Sequence, residues 1–163
     1  MRKYKEAVIL LNLVVLILFF NYSIVEKENI LEDGELILLE LAPVDPRSLM
    51  QGDYMRLNYK MSNDLGEDEL LKRGYCVVKL DQNGVAERVR LQESVEPVGE
   101  GEYLIKYTEG EWRNRINIGA SSFFFQEGEA SKYDQAKYGG LRVDKKGNSV
   151  LTGLYDKQLK KIE

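Results

Sequence analysis

The stretch YCVVKLDQNGVAERVRL, residues 75–91, predicts a β-hairpin. Strand-forming side chains flank a D-x-x-G turn. In this turn we expect the Asp81 carboxylate to accept hydrogen bonds from backbone amides and Gly84 to adopt a positive φ. A second stretch, LRVDKKGNSVLTGLY at residues 141–155, repeats this plan with Asp144 and Gly147. Two hairpins of one design predict antiparallel β structure at both places.

Further short runs with β periodicity surround these hairpins, and turn residues separate them every ten or so positions. They are ELILLELA (35–42), YMRLNYKM (54–61), YLIKYT (103–108), WRNRINIGA (112–120) and FFFQ (123–126). Inside this region only residues 129–138 have helical spacing. The pattern predicts a mainly β, antiparallel sandwich or partly open barrel with one short helix.

An apolar run, AVILLNLVVLILFFNYSIV at residues 7–25, precedes the β region and contains no charged residue. About 20 such residues span a bilayer as a helix. Arg2, Lys3 and Lys5 come before the run and acidic residues follow it, which predicts a cytoplasmic N-terminus. The run lacks a small-x-small cleavage site, so we expect an uncleaved signal anchor.

This division predicts three parts in the chain. Residues 1–25 form a cytoplasmic tip and transmembrane anchor, residues 26–34 a juxtamembrane connector that Gly34 ends, and residues 35–163 an extracytoplasmic β domain. Asn12 places an amide inside the apolar run. Such amides seek hydrogen-bond partners on other membrane helices, which predicts that the anchor packs against another membrane segment.

Composition excludes several classes of function. The chain carries 23 Lys and Arg against 27 Asp and Glu, and the acidic excess lies after the anchor, where a nucleic-acid binder would show basic patches. It has no histidine and one cysteine, Cys76, which excludes an intrachain disulfide, a His-based triad and zinc ligation of the usual kind. Cys76 sits among apolar residues, as a buried and inert thiol does. We expect no metal and no cofactor.

One motif stands out at the start of the second predicted strand. It reads G-D-Y-x-x-L-x-Y, with Gly52, Asp53, Tyr54, Leu57 and Tyr59 at the fixed positions. Together with DPR (45–47), FFFQEG (123–128) and LRVDKKGNSVLTGL (141–154), it resembles the GDYXXLXY family of small bacterial membrane-anchored proteins. The resemblance implies a place in the bacterial cytoplasmic membrane and a multi-spanning membrane protein as partner.

The motif has a structural and a functional interpretation. In the first, Gly52 and Asp53 form a turn, and alternation sends Leu57 and Tyr59 into the core, where the Tyr59 hydroxyl needs a partner. In the second, Tyr54 lies on the outer face and a small polar binding site forms from three charged residues: Asp53, Arg115 and Glu127.

These features favour an accessory or assembly subunit whose extracytoplasmic β domain binds a partner membrane protein. The alternative is a module that binds or senses a small ligand. A more remote alternative is a signal-peptidase-like hydrolase, with Ser48 as nucleophile and Lys60 or Lys79 as base. We expect no catalytic residues, and the sequence leaves the oligomeric state open.

Overall fold

The computed structural model describes residues 2–42, 54–63, 65, 71–110 and 115–163. A single long helix, α1, comes first and a β domain follows. The described elements are α1 (Arg2–Asp33), β1 (Glu35–Glu40), β2 (Tyr54–Arg56), a 3-10 turn (Lys60–Ser62), β3 (Arg73–Leu80), β4 (Ala86–Gln92), β5 (Glu102–Glu109), β6 (Ile116–Ile118), β7 (Ser122–Phe124), α2 (Ala130–Tyr133), β8 (Tyr138–Val143) and β9 (Ser149–Tyr155).

Helix α1 is long and apolar enough to cross a membrane. It does not stop at the end of the apolar run but continues to Asp33, so residues 26–33 are helical. Gly34 ends it, and the Gly34 amide donates to the Ile30 carbonyl at 3.0 Å. Of the α1 side chains that the structure describes, only Ile30 is buried, and it packs against the β domain.

The fold class is confirmed: the domain is mainly β and its sheets are antiparallel. Described strands form a three-stranded sheet of order β1-β8-β9, a four-stranded sheet of order β4-β3-β5-β6 and a two-stranded sheet of β2 and β7. All three sheets contribute to one hydrophobic core, whose fully buried members include Ile37, Leu39, Val78, Ile105 and Leu141.

Both D-x-x-G hairpins form as predicted. The Asp81 Oδ1 accepts the amides of Asn83 and Val85 at 2.8 Å, and Gly84 has a φ of 78°. In the second hairpin the Asp144 Oδ1 accepts two turn amides at 2.8 Å, and Gly147 has a φ of 79°. In each case the aspartate satisfies the turn amides and the glycine reverses the chain.

The hairpins are more closely related than their sequences indicate, because each turn docks on the other large sheet. The Gly84 carbonyl accepts the Leu38 amide of β1 at 3.0 Å, and the Gly147 carbonyl accepts the Lys106 amide of β5 at 2.9 Å. Strand β1 pairs with β8, and β5 pairs with β3. The two sheets are therefore joined reciprocally, each by the turn of the other.

Two predicted elements are shorter in the structure. Residues 54–61 keep the predicted alternation, but they do not form one continuous strand. Their first part, β2, pairs with β7. Tyr59 then forms a bridge with Leu41 near the end of β1, and a 3-10 turn begins. The predicted helix 129–138 is reduced to one turn, Ala130–Tyr133. The Lys137 amide already donates to the Tyr155 carbonyl at 2.7 Å, which commits the following residues to β8.

The two turn glycines provide a matched stability test. Gly84→Ala puts a Cβ into open space, so it should cost only the left-handed backbone conformation, about 1–2 kcal/mol of unfolding free energy. Gly147→Ala puts a Cβ 3.2 Å from the Lys106 amide nitrogen and should cost more, because it also strains the hydrogen bond between sheets. Urea unfolding followed by circular dichroism in detergent measures both. Equal losses would contradict the docking role of the second turn.

Candidate functional site

The inward side chains of the motif belong to the core. Leu57 is 8% exposed and Tyr59 is 2% exposed, as alternation predicts. The Tyr59 hydroxyl donates to the Ala120 carbonyl at 3.0 Å, so the buried oxygen is satisfied. Burial raises the pKa of Tyr59 well above its usual value, because the ionised oxygen would lose its solvation by water.

The ring of Tyr59 lies on a glycine of β8. A Cβ added at Gly139 would stand 2.9 Å from the Tyr59 Cε1, closer than any methyl group can approach. The glycine therefore makes room for the ring. Through its backbone bridge to Leu41, its hydroxyl bond to Ala120 and this contact, Tyr59 connects three separate parts of the chain.

The outer side of the motif carries an aromatic pair. Tyr54 faces Phe124 across the β2–β7 ladder, with ring centroids 5.7 Å apart. The Phe124 ring is 73% exposed, more than any other large apolar side chain in the described part of the β domain. Arg56 is exposed on the same strand as Tyr54. We call Tyr54 and Phe124 the aromatic patch.

Phe124 was not among the residues predicted from sequence, although its neighbours contain the signal. In the run FFF the side chain at 123 packs edge-to-face against Tyr133 and the one at 125 stacks on it, at centroid distances of 5.0 and 5.4 Å. Period-two alternation then sends the middle phenylalanine to solvent. Because the three residues are identical, their sequence does not show that the outer two face inward and the middle one faces solvent.

The polar residues of the functional interpretation are placed as follows. The Arg115 Nε donates to the Asn63 Oδ1 at 2.6 Å, and the Asn63 amide reaches Asn58 and the Tyr59 carbonyl, so Arg115 is connected to the end of the motif. Glu127 is exposed after β7, and no hydrogen bond or ion pair joins it to Arg115 or to a described residue of the motif. Gly52 and Asp53 lie outside the described residues, so the predicted polar site stays a prediction.

The nucleophile-and-base hypotheses receive no geometric support from the described residues. Ser48 lies outside them. Lys60 is 67% exposed and pairs with Glu40 at 3.2 Å, and Lys79 is exposed, whereas a lysine base needs burial to lose its proton. Cys76 is fully buried, and burial raises the pKa of its thiol to about 12 despite the nearby Arg88.

The family model for GDYXXLXY protein matches residues 16–154. The chain belongs to the GDYXXLXY family. The match begins inside α1 and ends in β9, so it includes the second half of the helix, the motif, the aromatic patch and both hairpins. No curated protein and no solved structure is significantly similar to the chain.

A groove of about 1350 Å³ lies between the end of α1 and the β domain. One wall is α1 from Tyr22 to Asp33, and the other is formed by the β4–β5 loop and the β8–β9 turn. The loop is fixed by Glu102, whose side chain is 8% exposed and accepts two Arg90 hydrogen bonds at 2.8 and 2.9 Å and the Gly99 amide at 2.8 Å. None of the described motif residues lines this groove.

Motif variants should separate the core face from the outer face. Tyr59→Ala removes a buried ring and leaves the Ala120 carbonyl unpaired, and should cost about 3–5 kcal/mol of unfolding free energy. Tyr54→Ala should cost less than about 1 kcal/mol, because its ring rests on an exposed neighbour. Thermal melts and urea titrations of the full chain in detergent test this. If Tyr54→Ala unfolds the domain as readily as Tyr59→Ala, both rings belong to one buried cluster.

Acid should weaken the loop that Glu102 holds. The Arg90 hydrogen bonds, then the Gly99 amide, lower the pKa of Glu102 to about 2. Its contribution to stability is therefore complete above the pKa of a free glutamate and is lost as the pH falls from about 4.5 towards 2. The melting temperatures of the wild type and Glu102→Gln should differ at pH 7 and converge towards pH 2. Glu100→Gln, an exposed neighbour, is the control and should show no such convergence.

Proposed function

We propose that the protein is a single-pass accessory subunit whose extracytoplasmic β domain binds a partner membrane protein. The membrane location is supported by α1, whose length and hydropathy suffice for a span. The orientation is supported by the charges at its ends: Arg2, Lys3 and Lys5 precede the apolar run, and Glu26 and Glu28 follow it.

The aromatic patch is the observation that carries the proposal. Exposure of a phenylalanine ring to water is unfavourable, and a partner that covers a ring that is 73% exposed lowers the free energy of the complex. Tyrosine and arginine are enriched among residues that dominate binding energy; Tyr54 faces this ring across the ladder, and Arg56 is exposed on the same strand as Tyr54. Tyr54 is also a fixed position of the family motif. Because its side chain is not part of the core, packing does not account for its place in the motif, whereas binding a partner would.

The ligand-binding and hydrolase alternatives have less support. The groove is large and open to solvent, whereas small-ligand sites enclose most of a ligand in about 300–1,000 Å³. The groove also contains none of the described residues named for a polar site. For the hydrolase, both candidate lysines are exposed, as described above.

Reporter fusions test the orientation. A reporter active only outside the cytoplasm, fused after Glu163, should be active, and one active only in the cytoplasm should be silent. The physical reason is the cluster of basic residues before residue 7, which resists translocation. The opposite pattern would place the β domain in the cytoplasm and remove the proposal.

Variants of the aromatic patch test the binding role. Phe124→Ser should leave the melting temperature within about 2 °C of the wild type, because the ring is exposed, while recovery of the membrane partner in mild detergent falls about tenfold or more. Val89→Ser is the matched control, because Val89 is an exposed apolar residue of β4. Equal recovery with both variants would contradict the patch as the binding surface.

A further inference from the structure

An amide inside the apolar run of α1 lacks a hydrogen-bond partner. The run contains two asparagines. The Asn21 Nδ2 donates to the Ile17 carbonyl of its own helix at 2.9 Å, whereas the Asn12 amide makes no hydrogen bond to any described residue. In a bilayer no water is present to solvate such an amide, and another membrane segment can supply its hydrogen-bond partner.

The direction of Asn12 is set by helical geometry. Ile30 lies 18 residues further along α1, which is five turns at 3.6 residues per turn, so Asn12 and Ile30 lie on the same side of the helix. Ile30 is the α1 side chain buried against the β domain. Asn21 lies nine residues from Asn12 and so points to the opposite side. The unsatisfied amide therefore faces the space beneath the β domain.

The groove begins on this face of the helix at Ile30, extends round one side of it past Glu26 and Asp33, and is acidic. Among its lining residues five carboxylates have no ion pair with a described residue, against two lysines. The carboxylates are Glu26, Asp33, Glu35, Glu96 and Asp144, and the lysines are Lys145 and Lys146. Tyr22, Val25 and Val98 line the same groove and give it apolar surface. A segment that rises from the membrane into this space would meet apolar walls and an excess of negative charge.

We propose that a transmembrane helix of another protein lies on the Asn12 face of α1, and that a lysine or arginine at its outer end enters this acidic groove. This inference rests on the proposed function and adds where, and by which chemistry, the partner binds within the membrane. The Asn12 amide supplies the hydrogen bond inside the apolar region. The groove carboxylates supply the charge complementarity at its outer surface.

The same geometry disfavours a second copy of this chain as the occupant. In a parallel two-fold dimer along the Asn12 face, each β domain would overhang the interface from its own side, and both would need the same space. The outer end of α1 is also acidic, with Glu26, Glu28, Glu32 and Asp33, so two copies would bring like charges together. Anionic lipid headgroups meet the same repulsion.

Site-specific photo-crosslinking of the full chain in native membranes tests the proposal. A photoreactive residue at Val15, about 60° from Asn12, should give an adduct with another membrane protein, and one at Ile17, about 140° away, should not. Asn12→Leu should lower the Val15 adduct about fivefold, the value of one interhelical hydrogen bond of about 1 kcal/mol, while Asn21→Leu leaves it unchanged.

Charge reversal tests the groove with a second matched pair. Glu26 lines the groove, and Glu28 lies on the far side of α1. Glu26→Lys should reduce the Val15 adduct severalfold, and Glu28→Lys should leave it unchanged. Support requires the adduct, its dependence on Asn12 and its dependence on Glu26 together.

Each contrary result removes a defined part of the inference. An adduct of twice the mass of the chain makes the occupant a second copy. Equal adducts from Val15 and Ile17, or no response to Asn12→Leu, overturn the helix face, and equal effects of Glu26→Lys and Glu28→Lys overturn the basic outer end. If Phe124→Ser abolishes partner recovery while Val15 gives no adduct, this inference fails and the proposed function stands. If Phe124→Ser also has no effect, both fail.

Discussion

The hydrogen bond from the Tyr59 hydroxyl to the Ala120 carbonyl is the contact on which the position of the β2–β7 sheet depends. The two residues lie 61 positions apart, and the bond is partly buried, so that an unpaired carbonyl there would be costly. The ring covers Gly139 of β8, and the backbone bridges the end of β1. The two-stranded β2–β7 sheet is thereby fixed against the three-stranded sheet, and the aromatic patch that it carries acquires a defined direction.

Features that depend on neighbouring residues could be predicted from the sequence. Strand alternation, the two aspartate-glycine turns, the helix end at Gly34 and the burial of Leu57 and Tyr59 follow from periodicity and turn chemistry. The change of pairing partner after β2 could not be predicted, because it depends on where β1 and β7 lie in space. The acceptor of the Tyr59 hydroxyl is likewise a backbone carbonyl, and a backbone carbonyl leaves no mark in the sequence.

A third turn shows why a pattern of letters can miss a repeated geometry. The Asp156 Oδ1 accepts the amides of Gln158 and Lys160 at 2.8 and 3.0 Å, as the aspartates of the two hairpins do with their own turn amides. At the position of the turn glycine stands Leu159, with a φ of 62°. The strained leucine is held because the chain after it returns to pair with β9, where the Ile162 amide donates to the Leu154 carbonyl at 2.9 Å. A search for glycine alone finds two of the three turns.

The continuation of α1 to Asp33 has a mechanical consequence. Eight helical residues follow the apolar run, a rise of about 12 Å, and the helix then meets the domain through buried Ile30 and through the Arg142 guanidinium, which donates to the Gly34 carbonyl. No flexible linker separates the helix from the domain at this junction. If the apolar run is held in a bilayer as proposed, a tilt or rotation of α1 moves the whole domain with it, because these contacts attach the domain to the end of the helix.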